Sequence, residues 1–229
     1  MKYPLSRRFL KTSVTNSQPA GWVLYGQWDF QGNLWDSSGN GRHAQIVSGS
    51  NSTISPQYLD CGNGGVEIFN VVWNTIYQYK WELEVFFPVA PNQWARWISN
   101  GGDSFFTGLN VGTSDFPYQK PNDTYAFRTT PLPFTRLNNT WYKIAVTATN
   151  EEGVVYPFNC KITDLNTGIV VMDSTHNVNI TGFRVGMDNA SVSRIDYNTF
   201  RVGIGFRYGA GSRPSNMRVR NLKMWIYNK

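Results

Sequence analysis

Apolar and polar positions alternate most clearly at the end of the chain. Met217 and Val219 are apolar with Arg218 and Arg220 beside them. After Asn221 the phase slips by one, and Leu222, Met224 and Ile226 become the apolar positions. A period of two belongs to a β-strand with one buried face, and a single slip is what one β-bulge produces. The pattern predicts a strand over 217–228 set inside a sheet; a bulge near Asn221 would bring Lys223 onto the face of Arg218 and Arg220, and without it Lys223 points the other way. The same alternation recurs over 80–87, where Trp81, Leu83, Val85 and Phe87 oppose Glu82 and Glu84. It recurs over 141–149, where Tyr142, Ile144, Val146 and Ala148 oppose Lys143 and Thr147. Residues 21–30 read as a first strand with Trp22, Leu24, Gly26, Trp28 and Phe30 on one face.

Shorter strands are predicted at 43–47, 58–61, 66–69, 94–99, 105–106, 109–111, 124–129, 159–164, 168–173, 184–187 and 200–206. Two turns punctuate them. Asp36-Ser37-Ser38-Gly39-Asn40-Gly41 is rich in residues that tolerate positive φ, and Leu165-Asn166-Thr167 before Gly168 suits a hairpin. No helical period of useful length occurs. About twelve to fourteen strands without a linker point to one β-sandwich.

Four segments, in order, carry a resemblance. Trp28-Asp29-Phe30 leads into Asp36-Ser37-Ser38-Gly39-Asn40-Gly41-Arg42-His43-Ala44. Asn139 to Thr147 supplies a Trp-led apolar strand, followed by the hairpin around Asp164 to Gly168. Val202-Gly203-Ile204-Gly205 precedes the closing Asn221 to Asn228. Together they resemble the laminin G-like, concanavalin A-like jelly rolls of the lectin and glucanase superfamily. The resemblance covers roughly 21–229 and implies an all-β fold, a two-sheet antiparallel jelly-roll β-sandwich with its first and last strands adjacent. Residues 1–20 lie outside it.

Charge alters this picture at the ends. Residues 1–20 hold Lys2, Arg7, Arg8 and Lys11 and no acid, a charge of +4. Residues 201–229 hold seven basic side chains and no acid, while the whole chain carries +6. If the terminal strands pair, this charge gathers on one side and suits an anionic partner, although a basic strand and tail would also serve solubility alone. Residues 1–20 read as a basic arm in which Tyr3, Leu5, Phe9 and Leu10 can dock. The polar run after Arg7-Arg8 does not continue as an export signal. No stretch of about 20 apolar residues is present, so no membrane-spanning helix is expected. Cys61 and Cys160, the two cysteines, stand far apart in the chain. They read as buried free thiols, with a disulfide between distant strands as the alternative.

Candidate chemistry is sparse. Retaining glycoside hydrolysis needs two carboxyl groups about 5 Å apart. Glu82 and Glu84 share one strand face, but Phe86 and Phe87 stand where the glucanase pattern has a third acid, so the pair is incomplete and no catalysis is expected. His43 and His176 form no recognisable triad, and Gly203-Ile204-Gly205 has no helix after it to cradle phosphate. The resemblance implies calcium as a candidate metal, with Asp36, Asn40 and Asp188 as candidate ligands; no cofactor is assigned. The Asp36 turn can equally be satisfied by its own hydrogen bonds. Trp35, Trp94, Trp97 and Tyr208 fall near strand ends or loops and are the candidate sugar platforms. Arg7, Arg8, Phe9, Lys11, Arg218 and Arg220 are the candidate partner-binding residues. No nucleic-acid module is recognisable.

The resemblance and the basic arm together suggest a non-catalytic binding or assembly module. The expected setting is a phage or virus particle, as a capsid decoration or tail component. It would join other virion subunits through the arm, form an oligomer and contact surface glycans. A carbohydrate-binding lectin or glycoside hydrolase-like protein, extracellular rather than virion-borne, is the rival.

Overall fold

The structure is a computed structural model. It describes residues 21–62, 64–68, 78–88, 95–100, 105–110, 116–121, 137–149, 155–179, 200–204 and 217–228. The arm, the strands expected at 124–129 and 184–187, and Asp188 lie outside these residues. Among the described residues there are fourteen strands and no helix. They are β1 (Gly21–Trp28), β2 (Ala44–Ile46), β3 (Thr53–Ile54), β4 (Leu59–Asp60), β5 (Val66–Ile68), β6 (Gln78–Phe87) and β7 (Ala95–Asn100). There follow β8 (Phe105–Asn110), β9 (Phe116–Pro121), β10 (Thr140–Thr149), β11 (Val155–Asp164), β12 (Val170–Asn179), β13 (Phe200–Ile204) and β14 (Arg218–Asn228).

The strands form two antiparallel sheets. One has eight strands in the order β12-β11-β10-β6-β14-β4-β3, with β1 also on β14; the other runs β2-β5-β13-β7-β8-β9. This is the all-β jelly-roll sandwich expected. The closing strand is interior. β14 pairs β6 along one side, and β1 and β4 along the other, so first and last strands are adjacent.

Alternation places the core. On β6, Tyr79, Trp81, Leu83, Val85 and Phe87 are no more than 1% exposed, while the residues between them are half-buried. Tyr142, Ile144 and Val146 of β10 and Val219, Leu222 and Met224 of β14 join them from the same sheet. Val66, Ile68, Ile98 and Val202 complete one cluster from the other sheet. Burying each large apolar side chain stabilises the fold by about 1.5–3 kcal/mol.

Several expectations are corrected. The first strand does not keep one phase: a register shift between Leu24 and Gly26 sets Leu24 opposite Trp225 but Gly26 opposite Met224. Tyr25 is the extra residue of that bulge. Trp22 and Leu24 therefore share a face with Trp225, and Trp28 turns to the core. The strands expected at 105–106 and 109–111 are one strand, β8, and β3 and β9 were not foreseen. Their two residues and their Phe-Pro-Tyr-Gln-Lys-Pro sequence show too little alternation. The hairpin of β11 and β12 forms as expected. The Asp164 carboxylate accepts from the amides of Asn166 and Thr167, and Gly168 takes φ +73°.

Candidate functional site

Register assembles the site. On the face of the eight-stranded sheet turned from the core, β10, β6 and β14 bring their polar positions into cross-strand rows. Trp141, Phe86 and Arg218 form one row; Lys143, Glu84 and Arg220 the next; Ala145, Glu82 and Lys223 a third; Thr147, Lys80 and Trp225 a fourth. The third row depends on the bulge in β14, where the pairing jumps from Arg220–Glu84 to Lys223–Glu82. Asn221 is the extra residue. It adopts φ +54°, a left-handed conformation that Asn tolerates better than most side chains. Its amide donates to the Asp29 carbonyl at 3.0 Å, its Nδ2 donates to Glu84 Oε1 at 3.0 Å, and its Oδ1 accepts from Gln31 Nε2 at 3.1 Å. The phase slip visible in the sequence is thus a bulge, and Lys223 stands on the same face as Arg218 and Arg220.

A pocket of about 280 Å³ opens beside this bulge, lined chiefly by Gln27, Asp29, Glu82, Glu84, Lys143 and Lys223. Its charges are largely matched. Lys143 Nζ lies 2.7 Å from Glu82 Oε2, and Arg220 Nε donates to Glu84 Oε2 at 2.7 Å. Gln27 Nε2 donates to Asp29 Oδ1 at 3.1 Å. Half-exposed pairs such as Lys143–Glu82 contribute under about 1 kcal/mol each to stability. They fix the positions of the donors and acceptors rather than the fold.

Aromatic rings flank the polar rows at both ends. At one end, the Arg220 guanidinium lies 4.1 Å from the Trp141 ring centroid, and Arg218 lies 4.7 Å from that of Tyr58 and 5.3 Å from that of Phe86. Phe86 and Trp141 touch, with centroids 5.3 Å apart. At the other end, Lys80 Nζ sits 4.7 Å from the Trp22 ring and 5.3 Å from the Trp225 ring, and Trp22 meets Tyr227 edge-on. From Phe86 to Lys80 the strand advances six residue steps, about 20 Å at strand rise.

The sequence-nominated residues fall as follows. Glu82 and Glu84 are in the pocket, and Phe86, on their face, packs on Trp141 where a third acid would be needed. Arg218 and Arg220 lie on this sheet face and are not a bare positive edge: Arg218 Nε is 3.3 Å from Asp60 Oδ2, and Arg220 is held by Glu84. The basic character of 201–229 is therefore offset here by acids from β4 and β6, which net charge along the sequence does not reveal. Trp35 is 70% exposed beside His43 and does not line the pocket. Trp97 belongs to β7, and its side chain lies outside the described residues. Arg7, Arg8, Phe9, Lys11, Trp94 and Tyr208 lie outside the described residues. Gln27, Asp29, Lys143 and Asn221 were not singled out as site residues. Lys143 was legible only as a polar position on its strand, because the register that sets it against Glu84 is not written in either strand alone.

The Asp36 turn is structural. Asp36 accepts from the amides of Gln27, Ser38 and Arg42, and its own amide donates to His43 Nδ1. Asn40 Nδ2 donates to the Tyr25 carbonyl. Surrounded by N–H donors, the Asp36 carboxylate does not fit a calcium ligand. Among the described residues no group of three or more His, Cys, Asp or Glu side chains could hold a metal. Cys61 and Cys160 are free and buried.

No protein-family model matches the chain, and no curated protein does. Solved structures do. The chain is similar to domain 4 of AbnA, a GH43 extracellular arabinanase from Geobacillus stearothermophilus, solved in complex with arabinotriose; the TM-score is 0.58 at 13% identity, over 91% of this chain and 94% of that one. It is similar to the binding domain of botulinum neurotoxin serotype D/C, with TM-score 0.55 at 13% identity over 90% of this chain and 49% of that one. It is also similar to Trypanosoma rangeli sialidase in complex with sialic acid, with TM-score 0.53 at 13% identity over 90% of this chain and 31% of that one. The chain thus spans nearly all of the first, about half of the second and about a third of the third. At such identities the shared property is the β-sandwich fold.

Proposed function

We propose that this protein is a non-catalytic module that binds a glycan on the open face of its eight-stranded sheet. The observation that carries the reading is the pocket at the β14 bulge: hydrogen-bonding groups from Gln27, Asp29, Glu82, Glu84, Lys143 and Lys223, set between aromatic clusters around Trp141 and Trp225. Sugar recognition calls for hydroxyl-binding groups beside aromatic faces, and the polar rows extend far enough for an oligosaccharide. The arabinanase domain solved with arabinotriose and the sialidase solved with sialic acid support the reading, since they place sugar-linked proteins on this fold. Hydrolysis is not favoured. A retaining mechanism needs one carboxyl group as proton donor and one as nucleophile, whereas Glu82 and Glu84 both accept from cations.

A glycan array probed with the wild-type chain and with Glu82→Gln tests this. The expected result is a restricted set of hits that Glu82→Gln weakens or loses, with no reducing ends released from the bound sugar. A silent array overturns the reading, and sugar release that Glu82→Gln abolishes overturns its non-catalytic part. Placement on a virus particle is a separate part of the proposal and rests on the basic arm. A chain lacking 1–20 is expected to keep the sandwich and lose particle attachment, and unchanged attachment would remove that role.

A further inference from the structure

The pocket at the bulge is electrically balanced. Asp29, Glu82 and Glu84 present three carboxylates, Lys143 and Lys223 two ammonium groups, and the Arg220 guanidinium bonded to Glu84 brings the cations to three. Resting on the glycan reading above, we propose that this pocket takes an uncharged sugar, held through its hydroxyl groups, and discriminates against sugars that carry a carboxylate.

The committed cations argue for this. Lys143 is bonded to Glu82 and Arg220 to Glu84, each at 2.7 Å. For either to receive a ligand carboxylate it must leave its partner; the cost is small for the half-exposed Lys143–Glu82 pair, but Glu84, 19% exposed, is disfavoured without the Arg220 guanidinium. Lys223 is the pocket cation without an ion pair among the described residues. On β14 it pairs with Glu82 of β6 on one side and Gln27 of β1 on the other, so an incoming anion would meet Glu82 beside its single available partner. A hydroxyl group meets no such conflict, because it donates to one oxygen and accepts from a neighbouring N–H. The pocket offers such donor–acceptor pairs side by side: Glu82 with Lys143, Glu84 with Asn221 Nδ2 at 3.0 Å, and Asp29 with Gln27 Nε2 at 3.1 Å. Vicinal hydroxyls can bridge each pair without breaking it. The bulge supplies this arrangement, since it turns Lys223 outward and places the Asn221 amide on Glu84.

Calorimetric titration of the full chain separates the classes. Neutral probes are arabinotriose and cellotetraose; acidic probes are sialyllactose and a guluronate tetrasaccharide. A neutral probe is expected to bind, with Kd moving less than about twofold as salt rises from about 0.02 to 0.5 M, because no net charge is exchanged. Glu84→Gln, which loses a charge-assisted acceptor, should weaken binding about tenfold or more. Glu82→Gln replaces Glu84→Gln should the latter fail to fold. Preferred binding of an acidic probe, lost in Lys223→Gln or at high salt, overturns the assigned class while leaving glycan binding at the pocket intact. Silence of all four probes together with a silent glycan array overturns the underlying reading and this inference with it.

Discussion

The carboxylate of Asp36 accepts hydrogen bonds from three backbone amides, those of Gln27, Ser38 and Arg42, and from the Ser38 hydroxyl. Burial pushes its pKa up, but the Ser38 hydroxyl and the amides of Gln27, Arg42 and Ser38 outweigh burial and hold it below the ordinary value. A carboxyl whose pKa is lower in the folded state stabilises the fold above its unfolded pKa, about 3.9, and loses that contribution as pH falls through the folded value. Asp36→Asn should therefore lower Tm at pH 7, and the gap to wild type should narrow below about pH 4. Thermal unfolding followed by circular dichroism between neutral and acidic pH checks the sign; a gap that widens in acid would refute it. Gly26 makes a second residue-scale point. A Cβ there would strike the indole of Trp28, which is fully buried and donates from Nε1 to the Arg42 carbonyl at 2.6 Å. Gly26→Ala must displace that ring, and overpacking of this kind costs about 1–3 kcal/mol. The urea midpoint should fall accordingly, with a changed near-ultraviolet spectrum from Trp28.

At the scale of the element, β14 matters most because one extra residue sets the direction of everything after it. With Asn221 in place, Leu222 and Met224 are buried and Lys223 and Trp225 face outward. Deleting Asn221 would shift the remaining strand by one, sending Lys223 and Trp225 toward the core and Leu222 and Met224 toward water. The deletion is expected to prevent folding. Asn221→Gly should be milder, keeping the left-handed backbone and losing the contacts to Glu84 and Gln31. Asn221→Ala should cost about 1–2 kcal/mol, since alanine carries a Cβ into that conformation without a side-chain bond to offset it. Urea midpoints of the two point variants give the order, and an Ala variant more stable than the Gly variant would contradict the strain argument. The phase slip made this bulge legible in advance, because period-two burial is written directly into Met217 to Ile226. The bulge at Tyr25 was not legible: Trp22, Leu24, Gly26 and Trp28 are apolar or small on either reading, so their spacing cannot report which face each takes. Similarly, Glu82 and Glu84 were recognisable as one wet face, but the pocket appears only when pairing brings β10 and β14 beside them, and both partners come from the other half of the chain.

Across the whole molecule, the fold was readable from alternation and turn residues, while the placement of charge was not. Separation along the sequence suggested a basic edge, yet Asp60, Glu82 and Glu84 reach the face of the terminal strand and leave it nearly neutral. The two cysteines offer a measurement of whether the two ends of the eight-stranded sheet behave as one unit. Cys61 follows β4 near one end of the eight-stranded sheet, and Cys160 lies in β11 near the other. Both belong to the same buried cluster. Burial, with a smaller contribution from Asp60 at Cys61 and Asp173 at Cys160, pushes both thiols far above the ordinary range. In the folded state neither thiol is solvent-accessible or ionised, so an aromatic disulfide reagent should react only through opening of the structure. If the shared core makes the sandwich a single cooperative unit, both cysteines should be labelled with the same dependence on urea, matching the slope of global unfolding. The single-cysteine variants Cys61→Ala and Cys160→Ala separate the two signals. A markedly shallower slope for Cys160 would show that β11 and β12 open on their own, and the sandwich would then consist of a rigid centre around β6 and β14, where the pocket lies, with an independently opening flank.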